Sequence, residues 1–160
     1  MAYIISIRDS SGVLHTVEDG ATVATKEFFV PATNGTIPGT AGQHTGYKIN
    51  DDFHVARIEL FVPADFSSII EAVVTRIALS TGTHGLSYFT NYAASGEVKN
   101  LHIETSAGGH VDETDEIIYE YDLSSQLSAL AANDYVGIQV ESEPRDMPND
   151  LILGVRFRYS

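Results

Sequence analysis

Leu151-Ile152-Leu153-Gly154-Val155-Arg156-Phe157-Arg158-Tyr159 is the stretch whose reading decides the fold. Strict alternation sends Leu151, Leu153, Val155, Phe157 and Tyr159 one way, and Ile152, Gly154, Arg156 and Arg158 the other. A period of two with one apolar face is the pattern of an antiparallel strand covering a core on one side. Two segments upstream repeat it. Residues 117–121 (Ile-Ile-Tyr-Glu-Tyr) are β-branched and aromatic, and residues 134–141 place Val136, Ile138 and Val140 on one face.

Working outward, the same reading extends along the chain. Residues 53–62 form a strand with Ala56, Ile58, Leu60 and Val62 inward, followed by strands at 69–79, 86–93 and 98–105. Residues 2–7 and 12–17 flank a turn at 8–11 and read as an opening hairpin. Residues 31–46 are dense in Pro, Gly, Thr and Asn and read as a long loop, and residues 82–85 as a turn. Ala107-Gly108-Gly109 closes the strand before it, and Asp112 to Glu116 is an acidic turn. A short helix is expected over 124–133, capped by Asp122 or Ser124 and ended by Asn133, with a helical turn at 63–68. Strands spaced by roughly ten residues with little helix argue for a sandwich or barrel. The expectation is an all-β protein: an antiparallel β-sandwich, a single jelly roll with one or two short helices. It spans 1–160 as one domain, with 1–20 as an N-terminal hairpin or arm. An immunoglobulin-like sandwich is the runner-up, weakened by the absence of tryptophan and cysteine.

Composition narrows the function classes. Hydrophobic residues make up 43% and charged residues 19%, which argues for a folded globular chain and against disorder. Twenty-two acidic residues against 9 basic ones give a formal charge of −13, a surface that repels phosphate backbones and anionic lipid. No nucleic acid and no membrane partner is expected; the best basic patch on offer is Arg156 with Arg158. Zero cysteines exclude disulfides, thiolate metal sites and a cysteine nucleophile. Residues 1–7 read as a first strand and not as a signal peptide, so a soluble, non-exported protein is expected.

Motifs that carry chemistry are sparse. No Gly-x-Ser-x-Gly elbow and no phosphate-cradling glycine loop is present, no catalytic residue is assigned, and no enzyme is expected. His102 and Glu104 share a strand face, and His54 can complete a ligand set with them, but scattered surface histidines are the default. No metal or other cofactor is expected. Carboxylates crowd 110–116 and 141–150 without the spacing of a calcium loop. Tyr88 and Tyr92 fall on one face of the strand at 86–93, where exposed rings can form a carbohydrate platform.

Residues 122–140, from Asp122-Leu123-Ser124 to Gln139-Val140, together with 151–159 and the strand–Pro63-Ala64-Asp65-Phe66–strand unit, resemble small jelly-roll virion structural proteins of phage and environmental viruses. The resemblance implies a capsid, decoration or fibre-associated component, assembled in the host cytoplasm and acting in the virion. It would work by self-assembly, with homo-oligomer contacts and other virion proteins as partners. Candidate assembly residues are then Tyr3, Ile5 and Ile7 of the hairpin and Pro31, Ile37 and Pro38 of the loop, since an exposed hairpin can extend a neighbour's sheet. The alternative is a carbohydrate-binding module of jelly-roll type using Tyr88 and Tyr92, with a glycan as partner.

Overall fold

The structure is a computed structural model that describes the backbone of Ile4–Arg8 and Leu14–Glu18 and residues 24–160. Strands β1 (Ile4–Arg8) and β2 (Leu14–Glu18) pair antiparallel, from Ile4 opposite Glu18 to Arg8 opposite Leu14, as the hairpin reading expects. Then follow β3 (Lys26–Pro31), β4 (Asn34–Gly35), β5 (Ile37–Ala41), β6 (His44–Ile49), β7 (Val55–Phe61) and β8 (Ile69–Ala78). The chain continues through β9 (Gly82–Ala93), β10 (His102–Glu113), β11 (Ile118–Asp122), β12 (Tyr135–Ser142) and β13 (Asp150–Tyr159).

Two antiparallel sheets face each other, one ordered β10-β9-β12-β7-β4 and the other β11-β8-β13-β6-β5, with β3 also on β13. The pairs nest along the chain: β9 with β10, β8 with β11, β7 with β12, β6 with β13, alternating between the sheets. That nesting of eight strands across two sheets is a jelly roll. The core is supplied by inward positions of both sheets. Ala56, Ile58 and Leu60 of β7 and Val136, Ile138 and Val140 of β12 meet Ala72 and Val74 of β8 and Val155, Phe157 and Tyr159 of β13. Polar residues such as Arg57, Glu59, Gln139, Arg156 and Arg158 alternate with many of these on the outer face, which is why alternation is the organising pattern.

Two strands break the alternation. In β13 the pairing with β8 slips between Ile152 and Gly154, so Ile152 and Asp150 face the core before the slip and Val155, Phe157 and Tyr159 after it. The single apolar face expected for 151–159 is therefore two half-faces; Leu151 is buried but lies on the other side from Ile152. Gly154 is required there, because a Cβ would stand 2.2 Å from the Val30 carbonyl oxygen. In β10 the slip falls between Ala107 and His110, where Gly109 has φ +80°. Ala107-Gly108-Gly109 does not end a strand; it is a β-bulge inside one, and residues 112–113 continue the ladder to Gly82.

Other expectations are corrected. Residues 31–46 are not a loop: β5 and β6 pair from Ile37 opposite Lys48 to Ala41 opposite His44, around a turn at Gly42. Gly35, Gly39 and Gly46 belong to the sheets, and Pro38 is tolerated because β5 is an edge strand. Residues 82–85 lie within β9. The helix expected over 124–133 is a 3₁₀ turn at Ser124–Leu127 only. Leu123 and not Asp122 or Ser124 stands at its N-cap, and Ser128 and not Asn133 at its C-cap, although Asp122 accepts from the Ser124 N–H at 2.8 Å and Asn133 has φ 71°. Between them the donors are diverted: Ala129 N–H goes to the Tyr92 hydroxyl and Ala131 N–H to Asp134 Oδ2.

Gly154→Ala is expected to destabilise the protein by about 1–3 kcal/mol, since backbone must move to admit the methyl. Gly82→Ala, where a Cβ meets nothing within 4 Å, is expected to be tolerated. Urea unfolding of both variants checks the contrast.

Candidate functional site

The outer face of the sheet β10-β9-β12-β7 carries an open groove. Register places Phe61 opposite Tyr135 and Tyr135 opposite Ala93; Glu59, Gly137 and Asn91 form the next outward row, and Arg57, Gln139 and Phe89 the one beyond. The Phe61 and Tyr135 rings stand 5.0 Å apart, inclined by 58°, and are 48% and 60% exposed. Beside them lies a cavity of about 620 Å³, rimmed by residues 93–97 and Lys99, and it meets a second hollow of about 390 Å³ at Glu59, Asn91 and Gly137. Gly137 makes the floor: a Cβ there would stand 2.8 Å from the Asn91 side-chain oxygen. Arg57 Nε donates to Gln139 Oε1 at 3.1 Å and Gln139 Nε2 to Glu141 Oε2 at 2.9 Å, fixing polar groups at the far end. Apolar rings with a few oriented polar groups in a concavity are the usual make-up of a small-ligand site.

Behind the same sheet lies a second cluster. His84 of β9 and Glu113 of β10 point inward from one sheet and meet Arg76 of β8 and Asp150 of β13 from the other, all of them buried. Arg76 Nη1 contacts Glu113 Oε1 and lies 3.2 Å from Asp150 Oδ1. His84 Nδ1 lies 3.1 Å from Asp150 Oδ2 and 3.3 Å from Glu113 Oε2, and Ser80 Oγ lies 3.3 Å from Nε2. The Arg76 guanidinium also sits over the Tyr119 ring at 5.6 Å. Burial pushes the Glu113 carboxyl above its ordinary value, against the pull of Arg76. Burial likewise drives the Tyr88 phenol upward, and its hydroxyl has no hydrogen-bond partner. Among the described residues, His84, Glu113 and Asp150 are the group able to hold a metal ion, with one donor atom from each within 4.8 Å of the others.

The residues singled out by sequence fare differently. Tyr88 and Tyr92 do share a face, but it is the inward one: each is 1% exposed, Tyr88 stacked on Tyr121 at 4.2 Å and Tyr92 on His102 at 4.9 Å. They form no surface platform. The physical reason is that His84 and Leu86, both buried, share their parity along β9. His54 bonds to Asn50 at 2.8 Å and is not brought to His102 and Glu104. Arg156 is no basic patch, because Glu71 and Glu120 lie 3.1 Å from its guanidinium and Glu27 at 3.7 Å. Tyr3 lies outside the described residues, as do the side chains of Ile5 and Ile7. Pro31 ends β3, and Ile37 and Pro38 are exposed on the edge strand β5. Neither the groove nor the buried cluster was anticipated; Phe61 and Tyr135 meet only through the β7–β12 register, and Glu113 and Asp150 turn inward only through the two slips. Among the described residues no helix is long and apolar enough to cross a membrane.

Fold and groove together define an all-β jelly roll with an open groove on the outer face of one sheet. No protein-family model and no curated protein matches the chain. Among solved structures it is similar to a crystal structure of exo-beta-1,3-galactanase from Phanerochaete chrysosporium with galactose, at 12% identity and a TM-score of 0.41. That likeness covers 96% of this chain and 32% of the other, so the chain spans about a third of that protein.

Arg76→Met is expected to cost about 3–5 kcal/mol, because it leaves Glu113 and Asp150 buried without their cation. Arg57→Met, on the exposed face, is expected to stay within about 0.5 kcal/mol of the parent. Chemical unfolding of the two variants measures the difference.

Proposed function

We propose that the protein is a carbohydrate-binding module that lays a neutral oligosaccharide along the outer face of β10-β9-β12-β7. The observation that carries this reading is the exposed Phe61–Tyr135 ring pair at the mouth of the groove. A sugar ring offers an apolar C–H face and a rim of hydroxyls; aromatic rings suit the first, and Glu59, Asn91, Lys99 and Gln139 suit the second. The net charge of −13 disfavours a polyanionic glycan and leaves neutral ones as the class that fits. In this reading the protein holds its ligand and performs no chemistry on it. The site differs from the one expected at Tyr88 and Tyr92, yet it serves the same ligand class.

The competing proposal is docking within a virion. It would use the β5 edge, where Ile37 and Pro38 are exposed and backbone groups lie open to a neighbouring strand. The two readings part on oligomeric state and on the fate of the ring pair.

Titration of the full chain with a panel of neutral oligosaccharides, followed by calorimetry on the best binder, tests the proposal. Phe61→Ala and Tyr135→Ala are each expected to weaken binding about tenfold or more, ~1.4 kcal/mol. Phe29→Ala, exposed on the opposite sheet, is expected to leave it unchanged. A protein that binds no glycan and forms an oligomer dissociated by Ile37→Asp would overturn the carbohydrate reading in favour of assembly.

A further inference from the structure

We infer that His84, Glu113 and Asp150 form a buried site for a divalent transition-metal ion, of Zn²⁺ type, that ties the two sheets together. This site is separate from the groove and does not rest on the glycan reading. The argument starts from how the donor atoms divide. Arg76 Nη1 occupies Oε1 of Glu113 and Oδ1 of Asp150, while the other oxygen of each, Oε2 and Oδ2, turns to His84 Nδ1 at 3.3 and 3.1 Å. Donors held 2.0–2.2 Å from one zinc stand about 3.3–3.6 Å apart along a tetrahedral edge, so two of the separations already approach a ligand shell. Ser80 Oγ, 3.3 Å from Nε2, is placed to accept the proton of the ring's other nitrogen. A histidine anchored at one nitrogen and carboxylates anchored at one oxygen are the supporting contacts that metal ligands characteristically have.

Charge and orphaned atoms point the same way. Arg76 supplies one positive charge against two carboxylates, so the interior lacks one unit; a divalent ion balances it when a fourth, anionic donor such as the Tyr88 phenolate joins the set. A proton on His84 would balance the charge but leave other groups without partners. The Tyr88 hydroxyl, in a residue 1% exposed, has no hydrogen bond, and its electrostatic neighbours are Arg76, Asp150 and Glu113. Both Glu113 oxygens are also buried without a hydrogen bond, contacting only charged groups. A cation among Nδ1, Oε2 and Oδ2 gives Glu113 Oε2 a ligand bond and Tyr88 a role as fourth donor, the third oxygen of the set. Because the ligands come from three strands, β9 and β10 of one sheet and β13 of the other, and are closed to solvent, the ion would enter as the sheets close, making its binding part of folding.

The test is refolding of the full chain from urea with Zn²⁺ or with EDTA, followed by equilibrium dialysis and metal analysis. One Zn²⁺ per chain, with an unfolding midpoint that rises with free Zn²⁺ and falls with EDTA, is the expected result. His84→Ala should abolish the increment, and Ser80→Ala should weaken binding about 10–100-fold while the chain still folds. His54→Ala, outside the cluster, should change nothing. Long-range ¹H–¹⁵N spectra settle the matter even if His84→Ala misfolds: a zinc-bound Nδ1 with a protonated Nε2 supports the site. A ring protonated at Nδ1 in a chain refolded with Zn²⁺, with no zinc retained on dialysis, overturns it.

Discussion

Strand β13 must satisfy two different neighbours along one edge, and much of the molecule depends on how it does so. Along one side it pairs with β8 throughout; along the other it pairs with β6 through Asp150, Leu151 and Ile152, then with β3 from Gly154 onward. A strand cannot change partner without a break in its ladder, and the break falls at Leu153. The Leu153 carbonyl is satisfied by the N–H of Ala32, just past β3, so the irregularity leaves no orphan. The slip turns Asp150 inward, and the slip in β10 does the same for Glu113. Arg76 and His84 need no such device, since they continue the inward parity of Ala72 and Val74, and of Leu86 and Tyr88. Two carboxylates delivered by bulges thus meet two bases delivered by regular alternation.

Burying four ionisable groups is expensive, and a buried ion pair is weak evidence for stability in itself. Its effect is on specificity. Arg76 paired across to Glu113, and His84 across to Asp150, fix which end of one sheet faces which end of the other, something the apolar core leaves loosely defined. The inter-sheet stack of Tyr88 on Tyr121 lies between that polar end and the aliphatic middle, so shape and charge change together along the sandwich. A slip of the two sheets by one residue would break Arg76–Glu113 and His84–Asp150, the two contacts of the cluster that cross between them.

How far the sequence reaches follows from the same geometry. The inward set of β7, Ala56 to Val62, and the pairing of Val136, Ile138 and Val140 were legible because Arg57 and Glu59, and Gln139 and Glu141, alternate with them. On β9 both faces carry aromatic residues, Tyr88 and Tyr92 on one and Phe89 on the other, so period alone cannot say which is inward. Glycine at 108 and 109 is the usual mark of a strand end, and only the continued pairing to Gly82 shows a bulge instead. Glu113 and Asp150 therefore sit, in sequence, within acidic turns where a solvated carboxylate is the ordinary reading. The ring pair has no local signal at all, since Phe61 and Tyr135 each close an alternating run 74 positions apart (135 − 61) and become neighbours only by register.

The two outer faces of the sandwich are not equivalent, and the proposed function rests on that difference. On the face of β11-β8-β13-β3, Arg156 is surrounded by Glu27, Glu71 and Glu120 and Arg158 leans on Glu71, so the charges there answer one another. Such a surface has little to gain from a partner, because any contact must first break pairs already made. The opposite face keeps Phe61 and Tyr135 exposed, lowers its floor at Gly137, and orients Asn91 and Gln139 along the trough without neutralising them in ion pairs. Its groups lose less on desolvation, and its rings gain apolar area with no competing contact. The difference in what each face has already satisfied, more than the depth of the groove, is why the proposed ligand is laid on the β10-β9-β12-β7 face.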